Sequence, residues 1–442
     1  VFDRRGPSEA RAATFGDDPG VTLRLGAEPP ALGAAEWARL DAVVVSPGVP
    51  ADRPLLASAR AQGVPVLGEV ELAAAFVDGP LVGVTGSNGK STTVAMIGAM
   101  LAAAGRDARV CGNFGPPLAA AVPRPSEAVA GEGALDEAAR PHYVVELSSF
   151  QLETIVDLRP RAAAFLNVAA DHLDRHGDLD TYTAAKRRIF ENQQGGDVAV
   201  LNADDPRVRH AGDDLREGVH RRFFSSLGRV ADGCCVRDDE IVEIDAAGGE
   251  TTLFRRSDLT VGGPHNVENA MAAALLARAL GVGSAEIVTG LRQMEGLAHR
   301  MQRVGQHGGV AWIDDSKGTN PAATLRSLDG FEAGTVIVVL GGQHKGGDLA
   351  PLAERVALTA RRALLIGEAA PTFATALAAT DAAFETVETL DRAVERAAEI
   401  ARAGDVVLLS PACASFDQFS SFVDRGRTFQ RLVHAVASRE DG

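Results

Sequence analysis

The sequence predicts an α/β protein of three domains, and three observations carry that expectation. Short β-branched runs alternate with alanine-rich helical stretches along nearly the whole chain, the pattern of parallel sheets joined by helical crossovers. One run passes directly into a glycine-rich turn and a helix, Leu81-Val-Gly-Val-Thr-Gly-Ser-Asn-Gly-Lys-Ser-Thr92. The 442 residues suit about three domains.

In chain order, strands are expected at 42–46, 81–85, 143–147, 163–168, 198–202, 310–314, 335–340, 363–367 and 406–410. Helices are expected at 92–104, 266–280 and 391–403. Residues 221–262 read as short β runs with turns, a small antiparallel elaboration. Breaks near Asp78-Gly-Pro80 and within 290–297 divide the chain into 1–78, 79–296 and 297–442. Residues 123–141, rich in Pro, Ala, Gly and Glu, read as an exposed loop. Val1-Phe2-Asp3 reads as the tail of a strand. A Rossmann-like domain opens with a strand, a glycine-rich turn and a helix, and none precedes Val1, so the first domain is expected to be truncated at its N-terminus.

Apolar residues make up 46% of the chain, enough for several cores, and the net charge of −15 argues against an electrostatic footprint for nucleic acid. An acidic chain that handles anions must gather its Lys and Arg locally. No apolar stretch reaches the roughly 18 residues that a membrane span requires, and the chain shows no signal-peptide pattern. Cys111, Cys234, Cys235 and Cys413 form no CxxC pair, so neither a zinc site nor a disulfide framework is expected, and a reducing cytoplasm fits.

The turn after 81–85 supplies the chemistry. Gly86, Ser87, Asn88, Gly89, Lys90, Ser91 and Thr92 aim backbone N–H groups, a helix N-terminus and an ammonium at one point, with the Ser91 hydroxyl placed for magnesium. That is a polyphosphate cradle, and ATP or GTP is the expected ligand. The spacing Gly86-x-x-Gly89-Lys90 is shorter than the strict P-loop, which would put glycine where Val84 stands.

Other segments admit two readings each. Glu146 ends an apolar run, where a second magnesium ligand belongs or an ordinary strand-end carboxylate. Asp171, His172, Asp174 and His176 crowd one polar loop, as a metal or phosphate site or as a solvated turn, with His172 the best ligand candidate. Lys186, by pattern alone, is a surface lysine. Asn266 and Asn269 share a helix face and could read a purine, or Asn266 could cap the helix. Lys317, in Asp314-Asp-Ser-Lys-Gly-Thr-Asn320, could sit over a phosphate. Lys345 lies in a glycine-rich turn, and Ser415 near a helix start could hold a carboxylate or merely cap. Cys413 reads as a small buried hydrophobe.

The order of these segments is more telling than any one. Together with Glu146-Leu-Ser-Ser-Phe-Gln-Leu-Glu153, Tyr182-x-Ala-Ala-Lys186, His265-Asn266, His299-Arg300 and Ser410-Pro-Ala-Cys-Ala-Ser415, the chain resembles the Mur ligase family from about Asp3 to its C-terminal region, on the branch that adds D-glutamate. The resemblance implies a Rossmann-like UDP-binding domain, a central P-loop ATPase domain with a parallel sheet, and a C-terminal Rossmann-like domain bringing the amino acid. It implies a cytoplasmic ligase of peptidoglycan precursor synthesis, and so of cell shape and division. Its substrates would be UDP-N-acetylmuramoyl-L-alanine, D-glutamate and ATP, with an acyl-phosphate intermediate, no nucleic acid or membrane partner, and a monomeric state.

By the same resemblance, Lys90, Glu146, His172 and Lys186 are catalytic. Two Mg²⁺ are implied, held by Ser91 and Glu146, and by His172 with a carbamylated Lys186, since a carbamate offers oxygens where an ammonium would repel. Asn266, Asn269, Arg300, Asp315 and Lys317 join the 86–92 loop around ATP. Asp3, Arg4, Gly68, Asn113, Ser148, Gln151 and His172 touch the UDP-substrate, and Thr319, Lys345, Ser415, Phe416 and Phe422 hold D-glutamate. Phe416 stands where a smaller aliphatic side chain would be expected. A sibling ligase or a folylpolyglutamate synthase would share the ATPase chemistry and differ in acceptor, whereas a non-catalytic nucleotide sensor would need no second set of metal ligands.

Overall fold

The computed structural model describes residues 2–3, 24–25, 32–50, 52–123, 140–294 and 296–440. Before Asp78 lie two parallel strand pairs, β1 (Phe2–Asp3) with β2 (Arg24–Leu25) and β3 (Val43–Val45) with β4 (Val66–Gly68). Trp37, Ala59 and Val64 pack into a small core beside the second pair.

The middle of the chain forms one nine-stranded sheet. Its strands are β5 (Leu81–Thr85), β6 (Ala108–Gly112), β7 (His142–Glu146), β8 (Ala162–Phe165), β9 (Val198–Asn202), β10 (His220–Ser225), β11 (Gly233–Arg237), β12 (Glu240–Ile244) and β13 (Glu250–Arg255). The spatial order is β13-β12-β11-β10-β9-β8-β5-β7-β6. β5, β7, β8 and β9 read as near-continuous apolar runs because helices cover both faces of a parallel sheet. On one face the helices Lys90–Ala103, Pro264–Ala279 and Ser284–Gln293 bury Met96, Ile97, Met100, Leu275 and Leu291 against Val82, Val84 and Val144. On the other, Leu152, Ile155 and Ile189 pack on Tyr143, Val145 and Phe165.

The stretch read as an antiparallel elaboration is corrected. β10 pairs parallel to β9 and β11 parallel to β10, and the antiparallel pairings here are β11 with β12 and β12 with β13. The segment therefore extends the main sheet. Its short runs and turns suggest antiparallel pairing, which holds for β11–β12 and β12–β13 and not for β9–β10 or β10–β11.

The last third builds a six-stranded sheet in the order β14-β15-β19-β16-β17-β18: β14 (Gln302–His307), β15 (Val310–Asp314), β16 (Val336–Gly341), β17 (Ala360–Ile366), β18 (Phe384–Glu388) and β19 (Val406–Leu409). All neighbours are parallel except β14 with β15. Among the described residues no helix is long and apolar enough to cross a membrane.

Candidate functional site

β5 lies between β7 and β8, so its carboxyl end opens into the crevice where strand order reverses. The loop that follows is fixed by Asn167, just beyond β8: its Oδ1 accepts from the Asn88 N–H at 2.9 Å and its carbonyl from the Ser87 N–H at 2.9 Å. Gly89 has φ +85°, and a Cβ there would stand 2.2 Å from Asn269 Oδ1, so only glycine fits. The helix beginning at Lys90 leaves its first-turn N–H groups without intrahelical partners, and their dipole favours an anion. Lys90 Nζ folds back over the loop and donates to the carbonyls of Gly86 (2.7 Å) and Ser87 (2.9 Å).

Glu146 ends β7 beside this loop. Its two oxygens accept from Ser91 Oγ at 2.6 Å and from Asn113 Nδ2 at 2.8 Å. Lys186 is fully buried, donates from Nζ to the Gly86 carbonyl at 2.9 Å and stands 4.5 Å from the Tyr182 ring. Two ammonium groups thus share one carbonyl. Burial first, and then the charge of Lys90, press the Lys186 amine well below its ordinary basicity. Lys90 is lowered chiefly by burial, against the pull of Glu146 and Asp171. His172 holds φ +54°, a backbone region rare outside glycine, with its ring edge-on to Phe150 at 4.8 Å.

The last third faces this loop. Lys317 Nζ sits 4.3 Å from the Phe114 ring and 5.0 Å from that of Phe422. Burial, with Arg300 and Lys90 adding and Glu146 opposing, lowers it to about 8. Arg300 is flanked by His299 (φ +62°) and Met301 (φ +47°), a strained corner held by His299 Nδ1 on Asp314 Oδ2 at 2.7 Å. Arg425 is buried and donates to Ser316 Oγ and to the carbonyls of Ser316 and Cys413, which ties the Lys317 turn to the Ser415 turn. Asn320 donates from Nδ2 to Asp171 Oδ2 at 3.1 Å, and Lys345 Nζ lies 3.6 Å from Asp171 Oδ1. Burial raises the Asp171 carboxyl, but Lys345, His172 and Lys90 outweigh it and hold it below its ordinary value.

Many of these groups line one cavity of about 540 Å³ between the two large sheets. Of the residues expected from sequence, Ser87, Asn88, Gly89, Lys90, Ser91, Thr92, Asn113, Glu146 and His172 line it from the middle sheet. Arg300, Lys317, Thr319, Lys345, Ser415, Phe416 and Phe422 line it from the last sheet. Phe416 is 68% exposed, which puts it at the mouth. Lys90, Arg300, Lys317 and Lys345 outnumber Glu146 and Asp171, so a chain of net charge −15 presents a cationic pocket here.

Others stand apart from the lining. Lys186 and Gly86, joined through the Gly86 carbonyl, are not among the lining residues. Asn269 donates to Asn266 Oδ1 at 3.1 Å and abuts Gly89, while Asn266 Nδ2 donates to the Gly262 carbonyl, so this pair supports the loop from behind. Asp315 is buried and accepts from Ser327 and Ser410, each at 2.7 Å; burial raises its carboxyl despite Arg300 and these bonds. Ser148 and Gln151 form the capping box of the helix Ser149–Leu152. Gly68 lies against Thr154 at the end of β4. Arg4 and the side chain of Asp3 lie outside the described residues.

Asn320 and Phe114 also line the cavity and had no assigned role from sequence, and Asp171 lines it too, read there only as one member of a polar metal- or phosphate-binding loop. For Asn320 the signal was its place before Pro321, where its Oδ1 accepts from the Ala323 N–H and caps a helix. The oxygens of Ser91 and Glu146 already meet beside the phosphate loop, which fits one magnesium ion. Among the described residues no group of three or more His, Cys, Asp and Glu could hold a metal alone. Mg²⁺ would therefore take its remaining ligands from phosphate and water, as it commonly does.

The chain matches the family models for the Mur ligase middle domain over residues 84–277 and the Mur ligase glutamate ligase domain over 299–413. It is 45% identical over 424 residues to a UDP-N-acetylmuramoylalanine–D-glutamate ligase from Myxococcus xanthus, covering 94% of this chain and 88% of that one. A protein of the same name from Anaeromyxobacter dehalogenans is 43% identical, with 98% and 91% covered. Among solved structures, a pseudomurein peptide ligase type C from Methanothermus fervidus superposes with a TM-score of 0.63 at 18% identity, covering 99% and 94%, a likeness of fold. With matched domains on both large sheets and relatives of this identity over nearly its whole length, the chain belongs to the Mur ligase family.

Proposed function

We propose that this chain joins D-glutamate to UDP-N-acetylmuramoyl-L-alanine at the expense of ATP. The observation that carries the proposal is a phosphate-binding corner, Lys90 with Ser91 and Glu146, sharing one cavity with Lys345 and Ser415 from the opposite sheet. The names of relatives at 43–45% identity support the choice of substrates.

A carboxylate acylates poorly, so the acceptor's alanyl carboxylate oxygen first attacks the γ-phosphorus of ATP and displaces ADP. The deprotonated amine of D-glutamate then attacks the acyl carbon, and the tetrahedral intermediate expels phosphate. The protein's part is positioning and charge stabilisation. Lys90 and the 86–92 backbone hold the β- and γ-phosphates, with Lys317 and Arg300 reaching them from the other side. Asn266, Asn269 and Asp315 support the nucleotide end from behind. Thr319, Lys345, Ser415 and Phe422 hold D-glutamate, with Phe416 at the entrance.

Ser91 and Glu146 would hold one Mg²⁺, and His172 with Lys186 a second; bound dications let several anions share one cleft. The crowding of Lys186 and Lys90 on the Gly86 carbonyl supports carbamylation of Lys186, because converting that amine to an anion turns repulsion into attraction. Residues 1–78, including Asp3, Arg4 and Gly68, would form the UDP-binding domain, 79–296 the ATPase domain and 297–442 the amino-acid domain. Asn113, Ser148 and Gln151 would complete the UDP-substrate site. The work would be done by a monomer in the cytoplasm, as a step of peptidoglycan precursor synthesis.

The test is phosphate release with UDP-N-acetylmuramoyl-L-alanine, Mg²⁺, ATP and a panel of D-glutamate, L-alanine, L-lysine and diaminopimelate. Release is expected only with D-glutamate. Turnover with another amino acid in its place, or none at all, overturns the assignment.

A further inference from the structure

Asp171 is a buried carboxylate in the wall of the reaction cavity. One oxygen, Oδ2, is fixed by Asn320 Nδ2 at 3.1 Å from the opposite domain. The other, Oδ1, has no hydrogen-bond partner although it is shut off from water. Lys345 Nζ faces it at 3.6 Å and His172 Nε2 at 3.7 Å, both beyond the roughly 2.7–2.9 Å of a charge-assisted hydrogen bond. A buried carboxylate oxygen left in that condition is costly, and such a group calls for a donor.

An α-amino acid brings the matching chemistry. It carries an ammonium and a carboxylate on the same carbon, and Asp171 and Lys345 present the opposite charges side by side in the cavity wall. We infer that Asp171 Oδ1 accepts a hydrogen bond from the amino group of the incoming amino acid while Lys345 takes one of its carboxylates. The zwitterion thereby enters the long Asp171–Lys345 pair and satisfies both ends. Asn320 acts as a positioning residue, since its hold on Oδ2 fixes the carboxylate and leaves Oδ1 facing Lys345 and His172. The amine is then placed next to His172 and on the Lys90 side of the cavity, where the activated acyl group would form. Amino-acid recognition on this account needs the middle domain as well as the last one. The inference rests on the ligase function proposed above.

Binding of D-glutamate is compared with that of glutarate, which has both carboxylates and no amine. Each is titrated calorimetrically into the enzyme loaded with UDP-N-acetylmuramoyl-L-alanine, Mg²⁺ and a non-hydrolysable ATP analogue. The wild type is expected to favour D-glutamate by roughly tenfold or more, the effect of one hydrogen bond to a charged group. Asp171→Asn should lose that preference while still binding glutarate, and Asp171→Glu, which keeps the charge, should regain part of it. An unchanged preference in Asp171→Asn, or an equal loss for both ligands there and in Asp171→Glu, overturns the inference. A wild type that binds neither compound and releases no phosphate with D-glutamate defeats the ligase proposal instead, which is a separate outcome.

Discussion

Lys317 shows how burial sets a working pH. Its ammonium lies between two aromatic rings, and burial lowers it to about 8, aided by Arg300 and Lys90. Below that pH both folded and unfolded chains carry the proton, and the folded state bears the full cost of a buried charge. Between about 8 and the unfolded value near 10.4 only the unfolded chain holds it, so this group's contribution to stability improves as pH rises through that window. Function runs the other way, because neutral Lys317 no longer attracts phosphate. Nucleotide affinity should therefore fall above pH ~8, by at most about tenfold per unit, the limit for linkage of one proton. Calorimetry with an ATP analogue between pH 7 and 10 checks this, and Lys317→Arg should carry the fall to higher pH. A flat profile for the wild type would show that Lys317 does not meet the phosphates. Single residues such as Lys90, Glu146 and Lys317 were legible in the sequence because each ends an apolar strand or stands in the turn just after one. Asp171 was visible only as one acid in a polar loop, since its meaning comes from Lys345 and Asn320, which the fold brings to it from far along the chain.

Secondary-structure elements were legible in proportion to how deeply they lie in a sheet. β5, β9 and β15 have the bounds expected from sequence, because apolar five-residue runs end at glycine or polar turns. β6, β14 and β18 were not anticipated, and each forms an edge of its sheet. An edge strand has one neighbour and mixed exposure, so β14 and β18 carry polar side chains such as Gln302, Arg303, Glu385 and Glu388 and give no continuous apolar signal. Helix packing beneath the phosphate loop yields a further expectation. Gly290 sits where the helix Ser284–Gln293 crosses the helix Lys90–Ala103, and a Cβ there would stand 2.6 Å from the Met100 backbone. Gly290→Ala must push the two helices apart, at a cost of about 1–3 kcal/mol. A urea-unfolding series should show a lower midpoint with an unchanged slope. A wild-type midpoint would mean that the helices adjust freely, and the phosphate loop would then lack the rigid support inferred for it.

The two large sheets meet across the cavity through few direct bonds. Asn320 reaches Asp171 at 3.1 Å and Asn88 Oδ1 at 3.4 Å, and Lys345 faces Asp171 at 3.6 Å. Buried hydrogen bonds of this kind contribute on the order of 0.5–3 kcal/mol each, and so few of them do not fix two domains against their own rotational freedom. The cavity is also cationic, so in the free enzyme the Lys90 and Lys317 charges on opposite walls repel. A bound triphosphate reverses that sign, and an amino acid bridging Lys345 and Asp171 adds contacts that only the closed arrangement allows. The ligands are thus the main source of closing energy, and the domains are expected to part without them and to close with them on the microsecond-to-millisecond range usual for such motions. Small-angle X-ray scattering should give a smaller radius of gyration with acceptor, ATP analogue and D-glutamate together than for the free enzyme, with nucleotide alone in between. High salt should leave the fully loaded radius unchanged and raise that of the nucleotide-only state, because screening weakens the charge reversal more than the buried contacts. Superimposable profiles at saturating ligand would mean that the domains are fixed by contacts other than these.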